Sequence, residues 1–266
     1  MKKLILIALF LISSVTLVGC GSQSGISSSG ITSPGITSPG SAARGGGSYL
    51  DEIIPANILS LKLFDQSDKS FSLGELKGQY VVISNFLTSC QEICPMTSAT
   101  MRVIGDAIEA SALKGKVKVI EISVDGARDK VARLAAYFSL YNDSNFALGS
   151  GSDSDLKAMW TYFGAPAMRV RYTASERAAL PLDWQSGKPS AYDVTHPDLV
   201  LIVGPDSHWK WLDLGNPNPG QAKIPEKLKK FLSEDGLNNL AKPQEPSWSS
   251  EAVFSALHDL TGVQIS

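Results

Sequence analysis

Two cysteines four residues apart, followed at once by a proline, hold the densest chemistry in the chain: Cys90-Gln91-Glu92-Ile93-Cys94-Pro95. Proline suits the first turn of a helix, so a helix is expected to begin close to Cys94. Positions four apart on a helical turn are neighbours. Two sulfurs placed there can close a disulfide or clamp one metal ion. Amides and dipole at a helix N-terminus favour thiolate over thiol. Soft thiolates select Cu(I), zinc or iron–sulfur clusters. Zinc and clusters normally take four protein ligands, often further cysteines. The chain offers only Cys20 besides the pair. Cu(I) accepts two sulfurs plus one nitrogen, which calls for one of the three histidines. His196 precedes an apolar run, His208 falls in a turn, and His258 lies in a C-terminal segment suited to a surface or capping role. Position favours His196.

These groups need a scaffold that brings distant stretches together. Residues 80–86 and 117–124 are β-branched, largely apolar runs, consistent with strands buried on both faces. Residues 198–203 form a third such run, and 209–214 read as its hairpin partner. Leu59, Leu61 and Leu63 alternate with polar residues and read as an earlier strand. Helical spacing marks 95–113, 128–141, 153–163 and 225–237. Residues 164–192 are irregular, with a hairpin around 168–172. The order is strand, thiols, helix, strand, helix, helix, strand, hairpin strand, helix. An α/β chain with a dithiol after its first central strand describes a thioredoxin-like fold, a central mixed sheet flanked by helices.

The N-terminus reads as delivery. Lys2 and Lys3 precede an apolar run over 4–18 that is short for a spanning helix. Leu17-Val18-Gly19-Cys20 resembles a bacterial lipobox, in which the cysteine is lipidated. Residues 21–48 hold a five-residue repeat, Gly-Ile-Thr-Ser-Pro in its clearest copies. Three short units cannot stack into a core, so a flexible tether with a reach of about 30 Å is expected. The domain then faces an oxidising space outside the cytoplasm, lipid-anchored to a bacterial membrane on its periplasmic side. A net charge of −2 provides no basic field for nucleic acid.

Four separated pieces resemble the Sco/SenC family of copper-delivery proteins: Asn85-Phe-Leu-Thr-Ser-Cys-Gln-Glu-Ile-Cys-Pro95, Ile122-Ser-Val-Asp-Gly-Ala-Arg-Asp129, Tyr192-Asp-Val-Thr-His196 and Leu201-Ile-Val-Gly-Pro-Asp206. The resemblance implies that Cys90, Cys94 and His196 bind copper and that Cys90 and Cys94 can form a disulfide. It implies assembly of the copper site of cytochrome c oxidase, with subunit II or another extracytoplasmic cuproprotein as acceptor. The family commonly carries an aspartate directly before this histidine. Thr195 stands here, with Asp193 two residues earlier, and no partner for the imidazole is evident. Asp125 and Asp129 match the family's acidic loop, where their simplest role is to cap the helix over 128–141. Glu92 matches another acid of the family and would tune the charge of the site or stand solvated. The expected organisation is a signal peptide over 1–19, a lipid-anchored linker over 20–48, the thioredoxin-like domain over 49–241, and a C-terminal extension over 242–266 with a short helix at 250–260.

Three functions other than a copper chaperone fit the thiols. Cys90 and Cys94 can serve a thiol–disulfide oxidoreductase that keeps a partner's copper-ligand cysteines reduced. A peroxidase would place Thr88 beside Cys90, although its Gln and Trp partners have no evident position. An inert stabilising disulfide is the plainest alternative.

Overall fold

The computed structural model describes residues 46–141 and 145–265. The expected signal peptide, Cys20 and the linker up to residue 45 lie outside them. In chain order the elements are β1 (Ser48–Ile53), α1 (Ala56–Leu59), β2 (Leu63–Asp65), β3 (Ser70–Phe71), β4 (Tyr80–Phe86), α2 (Cys94–Glu109), β5 (Val117–Ser123), α3 (Val131–Ser139), β6 (Ala147–Gly151) and α4 (Asp153–Tyr162). They continue with β7 (Met168–Arg171), α5 (Ala174–Ala179), β8 (Tyr192–Thr195), β9 (Leu199–Val203), β10 (His208–Leu214), β11 (Asn216–Asn218), α6 (Glu226–Lys229), α7 (Glu234–Ala241), β12 (Ser247–Ser249) and α8 (Ser250–Thr261).

Eight strands form one mixed sheet in the order β1-β10-β9-β4-β5-β6-β2-β3. β4, β5 and β6 are parallel, and β9 runs antiparallel to β4. β4 and β5 are buried on both faces beyond their first residues, as their largely apolar, β-branched sequence leads one to expect. Flanking helices complete a thioredoxin-like arrangement, with α2 along β4 and β5 and α4 against β6. The parallel register aligns Phe86 with Ser123, so the loops after both strands leave the sheet at the same end. β9 is paired with Ser84 opposite Val200, which brings the residues just before β9 to that end too. The topology therefore gathers the thiol loop, the loop after β5 and His196.

Several elements differ from the sequence expectation. No hairpin closes around 168–172: β7 pairs antiparallel with β8, with α5 between them. Residues 59–63 are not a strand: α1 ends at Leu59 and β2 begins at Leu63, with Leu59 and Leu61 lying against the core. β6 was not expected, being short and carrying Gly149 and Gly151. The helix over 225–237 is two helices. Ser233 interrupts it, because its amide donates to the Gln91 carbonyl (2.8 Å) instead of continuing the helix. Its hydroxyl then caps α7 by accepting from Gly236 N (3.1 Å). The helix expected over 250–260 is α8, and it packs on α2 in the common core through Val253 and Leu257.

Candidate metal and thiol site

α2 begins at Cys94 with no side-chain cap from Ile93. The sulfur of Cys90 fills that role: Ile93 N and Cys94 N donate to its Sγ at 3.4 and 3.3 Å. Four-residue spacing thus places the first sulfur over the open amides of the helix that the second one starts. Cys94 is 0 % exposed, and Leu87 N donates to its Sγ (3.4 Å). Burial, then the neighbouring Cys90 thiol, push the Cys94 thiol well above its ordinary value. Both cysteines are free thiols. Cys90 faces a cleft of about 160 Å³, whose wall includes Glu92, Tyr172, Asp193, His196 and Asp198.

His196 lies against β4 rather than free in this cleft, its side chain 5 % exposed. Asn85, 1 % exposed near the end of β4, holds it there. Asn85 Oδ1 accepts from Leu199 N (3.2 Å) and its Nδ2 donates to the Pro197 carbonyl (2.7 Å), which fixes the orientation of the amide. Its Nδ2 also lies 2.9 Å from His196 Nδ1, while the Pro197 carbonyl lies 3.1 Å from the same nitrogen. One neighbour can only donate and the other can only accept. With its proton on Nε2 the ring accepts from Asn85. With the proton on Nδ1 it donates to Pro197 O, and Nε2 is left with a lone pair for a metal. Burial lowers the pKa of His196, against the Pro197 carbonyl and Asp193. Asp198 Oδ1 is 3.6 Å from Nδ1. Burial, then Glu92, push its carboxyl up to about 7. Burial thus disfavours the charged form of both groups, and the contact is not a strong ion pair.

Cys90 and His196 thus border one cleft, with Cys94 directly behind Cys90. The two sulfurs and a His196 nitrogen do not all lie within 4.8 Å of one another. Among the described residues the group gathered that closely is Asp51, Asp206 and His208. There Lys210 Nζ already sits 2.6 Å from both carboxylates. His208 is engaged with Asp51 (2.7 Å), and His258 is exposed on the last turn of α8.

The acidic loop does not cap a helix. α3 starts at Val131, Lys130 is its N-cap residue, and no side chain caps it. Asp129 instead accepts from Thr88 Oγ1 (2.5 Å), Thr88 N (3.1 Å) and Ser123 Oγ (2.6 Å), tying the thiol loop to the end of β5. Asp125 binds Arg128, Arg169 Nη2 (3.0 Å) and the Tyr192 hydroxyl (3.1 Å), and so anchors β7 and β8. The Thr88 hydroxyl is committed to this network. Burial raises the pKa of Glu92, ahead of Asp193 and Asp235. Asn85 and Asp198 carry no role in the sequence reading. A lone Asn inside the buried run 80–86 was the available signal for the first, and an acid two residues after His196 for the second.

A family model described as SCO1/SenC matches residues 58–233. A relative from Stutzerimonas stutzeri, named for copper binding, is 28% identical over 149 residues, covering 56% of this chain and 65% of that protein. The chain therefore aligns with somewhat less than two thirds of this relative's length. The solution structure of apo Sco1 from Thermus thermophilus is 18% identical with a TM-score of 0.50, covering 83% of this chain and 99% of that one. That likeness is one of fold. The copper-bound ScoI of Bradyrhizobium japonicum is 23% identical with a TM-score of 0.47, covering 65% and 97%.

Proposed function

The chain belongs to the SCO1/SenC family, and from that premise we propose that it is a copper chaperone whose ligands are Cys90, Cys94 and His196. The observation that carries this reading is one cleft bordered by the free Cys90 thiol and the clasped imidazole of His196, with the buried, free Cys94 thiol directly behind Cys90. The donors suit Cu(I): two soft sulfurs and one neutral nitrogen. Membership of the family and the copper-binding name of the Stutzerimonas relative support the choice of metal. The three donors lie farther apart than one shared ion requires, so capture moves His196 and the sulfurs closer. Nδ1–H then donates to Pro197 O and Nε2 faces the metal. Both thiols surrender their protons on binding. Release follows by ligand exchange to an acceptor that offers its own soft donors. The acceptor is taken to be subunit II of cytochrome c oxidase or another cuproprotein outside the cytoplasm. Lipidation of Cys20 and the repeat-bearing tether would hold the domain near it. Among the described residues no helix is long and apolar enough to cross a membrane.

One observation favours a second use of the same sulfurs. Cys90 faces the cleft while Cys94 is buried behind it. A Cys90 thiolate can attack a partner disulfide, forming a mixed disulfide and releasing one partner thiolate. Cys94 then loses its proton and displaces the second partner sulfur. The partner leaves as a dithiol, Cys90–Cys94 becomes a disulfide, and two electrons have moved.

Titration of the reduced chain with Cu(I) against a competing chelator tests the chaperone reading. One equivalent should bind, and Cys90→Ser, Cys94→Ser and His196→Ala should each weaken it. Wild-type affinity in Cys94→Ser would defeat the reading.

A further inference from the structure

A second set of side chains holds the thiol loop from outside the cleft. Arg133, on α3, is 14 % exposed. Its Nε donates to Thr88 Oγ1 (2.5 Å) and its Nη2 donates to Ser89 Oγ (3.0 Å), the two residues before Cys90. The same guanidinium grips Asp183 in a fork, Nη1 to Oδ1 at 3.2 Å and Nη2 to Oδ2 at 2.6 Å. Asp183 lies in the segment between β7 and β8, and that segment meets the thiol loop twice more. Trp184 Nε1 donates to the Thr88 carbonyl (2.7 Å), and Gln91 Nε2 donates to the Pro181 carbonyl (2.7 Å). The Arg133 guanidinium also lies over the Trp184 ring, 5.1 Å from its centroid. Hydrogen bonds therefore reach the loop on both sides of Cys90. A planar two-point pair fixes geometry in a way that a single point charge cannot. Neither Arg133 nor Asp183 lines the cleft, and neither copper capture nor disulfide exchange calls on them.

We propose that Arg133 is a positioning residue for the dithiol: its fork with Asp183 holds Thr88 and Ser89, and through them keeps the Cys90 sulfur over the amides of Ile93 and Cys94. Closing the disulfide takes the Cys90 sulfur away from those two amides toward Cys94, and a loop held at Thr88 and Ser89 opposes that shift, so the clamp favours the dithiol. The inference rests on reading Cys90 and Cys94 as an exchanging pair, but its test needs no copper. The same fork holds the Asp183 carboxyl down to about 2 although burial alone would raise it, with Arg133 the foremost group opposing burial.

The full chain is equilibrated in dithiothreitol redox buffers and its free thiols are counted. Arg133→Gln and Asp183→Asn should each shift the equilibrium toward the disulfide at least fivefold, about 20 mV for a two-electron couple. Val253→Ala, a buried change in α8 that lowers stability without touching the loop, should leave it in place. Far-ultraviolet circular dichroism verifies that each variant is folded, and Asp183→Asn carries the test if Arg133→Gln is not. A smaller or opposite shift in the folded clamp variants overturns the proposal, as does an equal shift in Val253→Ala. Failure of the wild type to bind Cu(I) would count against the chaperone reading alone, since the thiol equilibrium is measured without metal.

Discussion

His196 shows how much of a site depends on one neighbour of its ligand. Its imidazole is buried, which disfavours the charged form, and Asn85 and the Pro197 carbonyl both address Nδ1. The support expected from an aspartate at position 195 comes instead from across the sheet, because Asn85 lies opposite the entry to β9. The Thr195 hydroxyl donates to the Met168 carbonyl (3.3 Å). Asn85 Nδ2 holds the Pro197 carbonyl that accepts from Nδ1–H in the copper-binding tautomer, so Asn85→Ala should weaken Cu(I) binding by about 10–100-fold, the usual cost of losing an outer partner of a ligand. Thr195→Ala should change it little; chelator competition measures both. Glu121 presents a different residue-scale problem. It is fully buried on β5, and burial holds its pKa well above the ordinary value, with the Ser98 hydroxyl acting in the opposite direction. A carboxyl whose folded pKa is raised binds its proton more tightly when folded. Stability is then lost as pH rises from the unfolded pKa to the folded one. Glu121→Gln carries no such loss. Urea titrations should find it close to wild type near pH 4 and increasingly more stable above about pH 5, by about 1.4 kcal/mol per pH unit until the folded pKa is passed. A pH-independent difference would contradict this account.

At the scale of elements, three strand ends make the site. β4 delivers Asn85 and the thiol loop, β5 delivers the acidic loop, and antiparallel β9 delivers His196. The last elements stabilise this frame from outside. α8 and the residues around it bury Trp248, Val253, Leu257 and Ile265, while the Tyr80 hydroxyl donates to the Leu260 carbonyl (3.0 Å). Full burial of each large apolar side chain is worth about 1.5–3 kcal/mol, and a whole domain is stable by only about 5–15 kcal/mol. Deleting residues 244–266 should abolish cooperative thermal unfolding and the near-ultraviolet dichroism of the packed tryptophans. Survival of both would show that the segment is an appendage. Much of this frame was legible in the chain. β4, β5 and α4 follow from largely apolar runs or helical spacing, and Cys94-Pro95 marked the start of α2. What stayed hidden was set by tertiary bonds. The break at Ser233 depends on the Gln91 carbonyl, and Gly236 is required there because a Cβ would fall 2.2 Å from that same oxygen. The role of Asp129 depends on Thr88, forty-one residues away. No local pattern announces such contacts.

For the whole molecule, the thiols, the imidazole and the proposed clamp sit in one domain of a SCO1/SenC family chain, at the end of an expected lipid tether. The chain's net charge of −2 leaves recognition to local chemistry at the cleft rather than to a long-range field. The cleft itself gathers Glu92, Asp193 and Asp198 beside the Cys90 sulfur, a setting that suits a cation bound by soft donors. X-ray absorption at the copper edge, on the reduced full chain loaded with one equivalent of Cu(I), tests the central claim most directly. The account predicts two sulfur ligands and one nitrogen, with the nitrogen lost in His196→Ala and a sulfur lost in Cys94→Ser. Copper surrounded only by nitrogen and oxygen, or a wild-type spectrum in Cys94→Ser, would contradict it.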